Sequence, residues 1–101
     1  MIDDMIDTAG TVTNGAAVLA RHGAGAIYVA ATHPVLSGKA VQNLEEAPVN
    51  EVVVTNTIPI PDEKHFGKLK VLSIAPIIAS ALRAVFEDTS VSEIFHGDNQ
   101  L

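Results

Sequence analysis

The sequence predicts an α/β fold: a mostly parallel sheet of three to five strands with helices on both faces, in a single domain over residues 1–101. Three observations carry that expectation. Apolar runs of strand length alternate with segments of helical period. The runs are rich in Val and Ile and nearly continuous, as in strands covered on both sides. Alternation of strand and helix, in turn, favours parallel strands joined by right-handed crossovers, and in such sheets ligands gather at the carboxyl ends of the strands.

The elements follow in order. The opening residues, Ile2-Asp3-Asp4-Met5-Ile6-Asp7-Thr8-Ala9-Gly10-Thr11, place two carboxylates before a small, hydroxyl-rich turn, with almost no strand expected ahead of them. A helix is expected over 11–22, stopped by Gly23 and Gly25. The apolar run 26–32 is the next strand. Ser37 and Gly38 open a short helix to about Glu46, with Ala40, Val41, Leu44 and Ala47 on its apolar side. Glu51 to Thr55 is β-branched and reads as a strand. Residues 56–67 hold Pro59 and Pro61 and read as a loop. A further strand spans 69–74. Pro76 fits the first turn of a helix reaching Phe86 or Glu87, with Ile77, Ala81, Leu82 and Val85 toward the sheet.

Composition bounds the function classes. The 101 residues suffice for one domain, which at this size buries about 65% of its unfolded surface. Hydrophobic residues make up 48% and aromatics only 4%, so the core is built from Val, Ile, Leu and Ala. There is no cysteine, which rules out disulfides and thiolate metal sites. No apolar run approaches the ~20 residues of a membrane span, and the acidic N-terminus is unlike a signal peptide, so the default compartment is the cytoplasm with no membrane partner. A net charge of −6 with six Lys and Arg argues against nucleic acid. It also leaves few cations to neutralise a polyphosphate.

The opening segment carries the chemistry. Thr8, Ala9, Gly10 and Thr11 have small side chains, so an anion can approach their backbone N–H groups, and Gly10 tolerates the positive φ that a tight nest often needs. The following helix adds unsatisfied N–H groups and a partial positive charge. Asp3 and Asp4 suit ribose hydroxyls or Mg2+, although in an extended segment they point to opposite faces. Read structurally, the same residues are only a capped helix start, with Asp7 or Thr8 as the N-cap. The acid pair directly ahead favours a ligand site.

Other candidates are weaker. Thr32-His33 and Asn56-Thr57 fall at strand carboxyl ends, where His33 reads as a structural histidine bonded to a loop or, alternatively, as a ligand. His22, His65 and His96 lack metal-site spacing. Lys39 reads as a solvated helix lysine or a phosphate ligand. No serine nucleophile motif or histidine-containing triad emerges.

From Asp3 to Thr11 the chain closely resembles the phosphoribosyl-diphosphate motif of the type I phosphoribosyltransferase fold, and specifically that of the ribose-phosphate diphosphokinase family, which the Asp at position 7 favours. Ala30-Ala31-Thr32-His33-Pro34-Val35-Leu36-Ser37-Gly38, Val53-Val54-Thr55-Asn56-Thr57-Ile58-Pro59 and the segments 72–79 and 90–95 resemble successive landmarks of that family's C-terminal region. The resemblance implies transfer of diphosphate from Mg-ATP to ribose 5-phosphate. Asp3, Asp4, Asp7, Thr8, Ala9, Gly10 and Thr11 would bind ribose 5-phosphate, with Asp3 and Asp4 also as Mg2+ ligands. Those are positioning roles, which suit phosphoryl transfer. It further implies self-association and, at Ser90, Val91, Ser92, Glu93, Ile94 and Phe95, a regulatory site for phosphate or ADP. A capped terminal turn is the structural reading of that stretch.

Full-length members resemble two tandem domains whose ATP-binding residues, metal-binding histidine and mobile basic loop precede this segment. The expectation is therefore a fold truncated on its N-terminal side, holding part of a ribose-phosphate site without activity of its own. A non-catalytic module associated with the synthetase and a phosphoribosyltransferase relative are the alternative readings.

Overall fold

The computed structural model describes residues 1–87. The chain runs β1 (Ile2–Ile6), α1 (Gly10–Arg21), β2 (Tyr28–Pro34), α2 (Ala40–Glu46), β3 (Glu51–Thr55), a 3-10 turn (Asp62–Lys64), β4 (Leu69–Leu72) and α3 (Ala75–Phe86). All four strands are parallel in the order β1-β2-β3-β4. The α/β class and the parallel sheet are as the sequence predicts.

Strand register brings the acidic pair into the sheet. Asp3 lies beside Ala31 and Met5 beside His33, so the segment read as having almost no strand ahead of it is itself the edge strand β1. The strand expected over 26–32 instead spans Tyr28–Pro34, its proline falling at the last position, where no ladder N–H is needed. Its start is fixed by Asn50, which accepts the Ile27 N–H through its side chain at 2.8 Å and donates its own N–H to Ile27 O at 2.7 Å.

A sequential strand order with right-handed crossovers puts successive helices on the same face. Accordingly α1 and α2 touch one another. Val29, Ala31, Val52 and Val54 are buried with Ile6, Val12, Ala16, Leu36, Leu44 and Val49 in one core. The alternating residues Ala30 and Val53 are only half-buried and Tyr28 is exposed. Covering of both faces by helices, expected from the sequence, is therefore not supplied by α1 and α2: they leave a shallow apolar groove along Ile2, Ala30, Val53 and Leu72.

In α2, Ala40, Leu44 and Ala47 are buried as expected, and Val41 is half-buried. The Lys68 ammonium closes its carboxyl end, donating to Glu45 O at 2.8 Å, Ala47 O at 2.9 Å and Leu44 O at 3.4 Å. These carbonyls have no partner within the helix, and the cation also meets the negative end of the helix dipole.

Helix α3 departs from expectation. Pro76 does sit in its first turn, but Ile77, Leu82 and Val85, read as facing the sheet, are exposed, and Ala81 is half-buried. Phe86 is 86% exposed. The helical period is correct, yet its apolar stripe is largely left in solvent.

Candidate functional site

The link between β1 and α1 forms the site, and its shape comes from where its carbonyls go. Ile6 O accepts the Leu36 N–H at 2.9 Å, and Asp7 O accepts the Ser37 N–H at 3.0 Å. Thr8 O accepts the Asn43 side-chain amide at 2.9 Å. All three carbonyls are thus drawn toward the β2–α2 connection and α2. In a planar trans peptide the C=O of one residue and the N–H of the next point in opposite directions. The Asp7, Thr8 and Ala9 N–H groups are consequently turned the other way.

A hollow of about 220 Å³ lies along this link, lined by Asp3, Met5 and Ile6 of β1 and by residues 7–12. Among the described residues, the N–H groups of Thr8, Ala9, Gly10, Thr11 and Val12 find no hydrogen-bond acceptor, and Thr13 is the first whose N–H is satisfied, by Ala9 O at 2.9 Å. The side-chain cap of the structural reading is absent: Ala9, not Asp7 or Thr8, occupies the N-cap, no described side chain accepts from the N–H groups of the first turn, and the Thr13 hydroxyl donates to Gly10 O at 3.0 Å. Asp7 instead accepts a hydrogen bond from the Ser37 hydroxyl. A helix start left uncapped in this way is free to receive an anion.

The positive φ that Gly10 would tolerate is adopted instead by Ala9, one residue earlier. Ala9 has φ 68° and ψ 11°, the left-handed conformation, and is buried. Gly10 begins α1, and a Cβ added there would meet only Thr8 Oγ1 at an ordinary 3.8 Å. Gly10 lines the hollow from the first turn of α1, without left-handed backbone.

Asp3 lines the hollow and Asp4 does not, as strand alternation requires. Both are exposed, and Asp3 Oδ1 accepts the Asp4 N–H at 2.8 Å. No group of three His, Asp or Glu residues able to hold a metal occurs among the described residues. The donor set fits a magnesium ion shared with substrate oxygens, which Mg2+ accepts with one or two carboxylates and water, and does not fit a closed protein cage.

The remaining candidates separate from this hollow. His33 Nδ1 is 2.9 Å from Thr57 Oγ1, and both Thr55 and Thr57 hydroxyls donate to Thr32 O, at 2.7 and 3.3 Å. These residues sit at the carboxyl edge as expected, with His33 tied to a loop. Lys39 is exposed at the N-cap of α2, away from the hollow. The stretch from Ser90 to Phe95 lies outside the described residues. No described helix is long and apolar enough to cross a membrane.

Sequence reasoning missed Ser37 and Asn43 as supports of the loop. They reach Asp7 and Thr8 across 30 and 35 residues, a relation no local pattern reveals. In sequence Ser37 and Gly38 read only as the opening of a short helix; Gly38 adopts φ 57°.

Comparison with known proteins identifies the family. The phosphoribosyl synthetase-associated domain family matches residues 1–96. A ribose-phosphate pyrophosphokinase of Bifidobacterium longum is 56% identical over 95 residues, which are 94% of this chain and 28% of that protein. One from Mycobacterium tuberculosis is 54% identical over 98 residues, covering 97% of this chain and 30% of the relative. The crystal structure of phosphoribosylpyrophosphate synthetase from Mycobacterium smegmatis superposes with a TM-score of 0.83 at 52% identity, over 86% of this chain and 29% of that one. These matches fix the family and the share covered, and lend no support to the finer expectation that the segment is the relatives' C-terminal region. The chain belongs to the ribose-phosphate pyrophosphokinase family, matching its phosphoribosyl synthetase-associated domain, and spans about 30% of the length of the curated relatives it matches.

Proposed function

We propose that the hollow between β1 and α1 binds the 5-phosphate of ribose 5-phosphate, as the ribose-phosphate half of a diphosphokinase site. One observation carries the reading: the loop carbonyls are tied back, while consecutive N–H groups from Thr8 to Val12 are left without acceptors beside the hollow. Phosphate has the acceptor oxygens and the charge that such an array receives. Asp7, Thr8, Ala9, Gly10 and Thr11 form the cradle, and Asp3 accepts hydrogen bonds from ribose hydroxyls or shares a magnesium ion with the substrate. Bound there, the ion would offset substrate charge. Among the described residues no Lys or Arg lines the hollow, so the phosphate is held by backbone dipoles rather than by cations.

The activity that follows from the family is transfer of diphosphate from Mg-ATP to ribose 5-phosphate, in the service of nucleotide biosynthesis. This chain supplies substrate positioning to that reaction, which phosphoryl transfer depends on. By itself it binds ribose 5-phosphate and does not make phosphoribosyl diphosphate. Calorimetry with ribose 5-phosphate, ribose and ATP, with and without magnesium, tests the reading. Ribose 5-phosphate is expected to bind more tightly than ribose; equal affinity for the two, or turnover of Mg-ATP at an ordinary enzymatic rate, overturns it.

A second reading, a non-catalytic module acting through subunit contacts, is favoured by the exposed apolar stripe of α3. Co-purification with a full-length synthetase tests it.

A further inference from the structure

We infer that Asn43 is a positioning residue for the phosphate cradle: its side-chain amide holds the Thr8–Ala9 peptide in the orientation that directs the Ala9 N–H toward the hollow. The inference rests on the reading of that hollow as a phosphate site.

Of the three loop carbonyls drawn toward the β2–α2 region, two are held by backbone N–H groups, those of Leu36 and Ser37, which no substitution short of proline removes. Thr8 O is the exception, since its donor is the Asn43 side chain at 2.9 Å. The peptide it anchors is also the one beside the unusual backbone. Ala9 has φ 68°, a conformation that a residue with a Cβ disfavours. Turning the Thr8–Ala9 peptide over would change ψ of Thr8 and φ of Ala9 together and carry Ala9 to the favoured negative side. The same rotation would aim Thr8 O, rather than the Ala9 N–H, at the hollow. A carbonyl oxygen there repels an anion.

The cradle is therefore one of two orientations of a single peptide, and local backbone preference favours the wrong one. Asn43 opposes it from a firm base. Its own backbone N–H donates to Lys39 O at 2.8 Å, its neighbour Leu44 is fully buried, and Lys68 closes the far end of α2.

The test uses the 101-residue chain, Asn43→Leu (close in shape to the native residue and without a donor), Asn43→Ala as a second variant should the first not fold, and each combined with Ala9→Gly. Calorimetry with ribose 5-phosphate and with ribose is read alongside the thermal midpoint. Asn43→Leu is expected to lose affinity for ribose 5-phosphate on the order of tenfold, the scale of a lost charge-assisted contact, with little change toward ribose. Ala9→Gly is expected to recover part of the loss, because glycine takes positive φ without penalty. A role of Asn43 in stability alone would not be rescued at position 9. Unchanged affinity in both Asn43 variants, or a loss that Ala9→Gly does not recover, overturns the inference while leaving the phosphate reading standing. Failure of the parent chain to distinguish ribose 5-phosphate from ribose overturns the phosphate reading and this inference with it.

Discussion

Asp3 and Asp4 are adjacent in sequence and have unlike surroundings. Alternation along β1 puts Asp3 on the hollow and takes Asp4 off it. Asp3→Asn is therefore expected to weaken ribose 5-phosphate binding in magnesium by about tenfold, while Asp4→Asn stays within about twofold, on the scale of one charged hydrogen bond. Titration calorimetry of the two variants under one buffer condition checks the asymmetry. Position 9 is legible in sequence only as a small residue. Its left-handed backbone is not legible there, because glycine, as at Gly10 next door, is the residue that tolerates positive φ, whereas Ala9 follows a peptide anchored from Asn43, far along the chain.

Helix α2 shows how an element distant from the hollow contributes to it. The Asn43 contact to the loop and the Lys68 contact to the carboxyl end both depend on this two-turn helix, which is too short to be stable alone. Lys68→Met is expected to cost about 1–3 kcal/mol, since the ammonium satisfies terminal carbonyls and opposes the helix dipole. Urea unfolding followed by far-UV circular dichroism measures it. Leu44→Ala removes a fully buried side chain from the same helix and is expected to cost about 2–5 kcal/mol, seen as a lower urea midpoint. Period and apolar spacing announced this helix with nearly correct limits, since burial of Ala40, Leu44 and Ala47 is what that spacing encodes. Its partners were not announced. Lys68 lies beyond β3, and nothing in its neighbourhood marks it as a cap.

For the whole molecule, the parallel sheet has one face packed under α1 and α2 and an opposite face with a shallow apolar groove. Ile78, Leu82, Val85 and Phe86 of α3 are all more than half exposed. Exposed apolar area of this kind favours association. Sedimentation velocity is expected to show self-association that grows with protein concentration, and Leu82→Ser with Phe86→Ser is expected to reduce it. A concentration-independent monomer would contradict this. The periodicity of α3 was plain in the sequence, but a helical stripe states only that one side is apolar; what covers it is a tertiary matter.

The order of strands and helices, their parallel arrangement, the apolar core and the small, acid-flanked turn followed by a helix were all determined by sequence, because each depends on local spacing and residue size. Tertiary structure decided which N–H groups in that turn are free. Their availability depends on carbonyl partners 30 to 35 residues away, on strand register that sorts Asp3 from Asp4, and on a left-handed alanine that its own sequence would not choose.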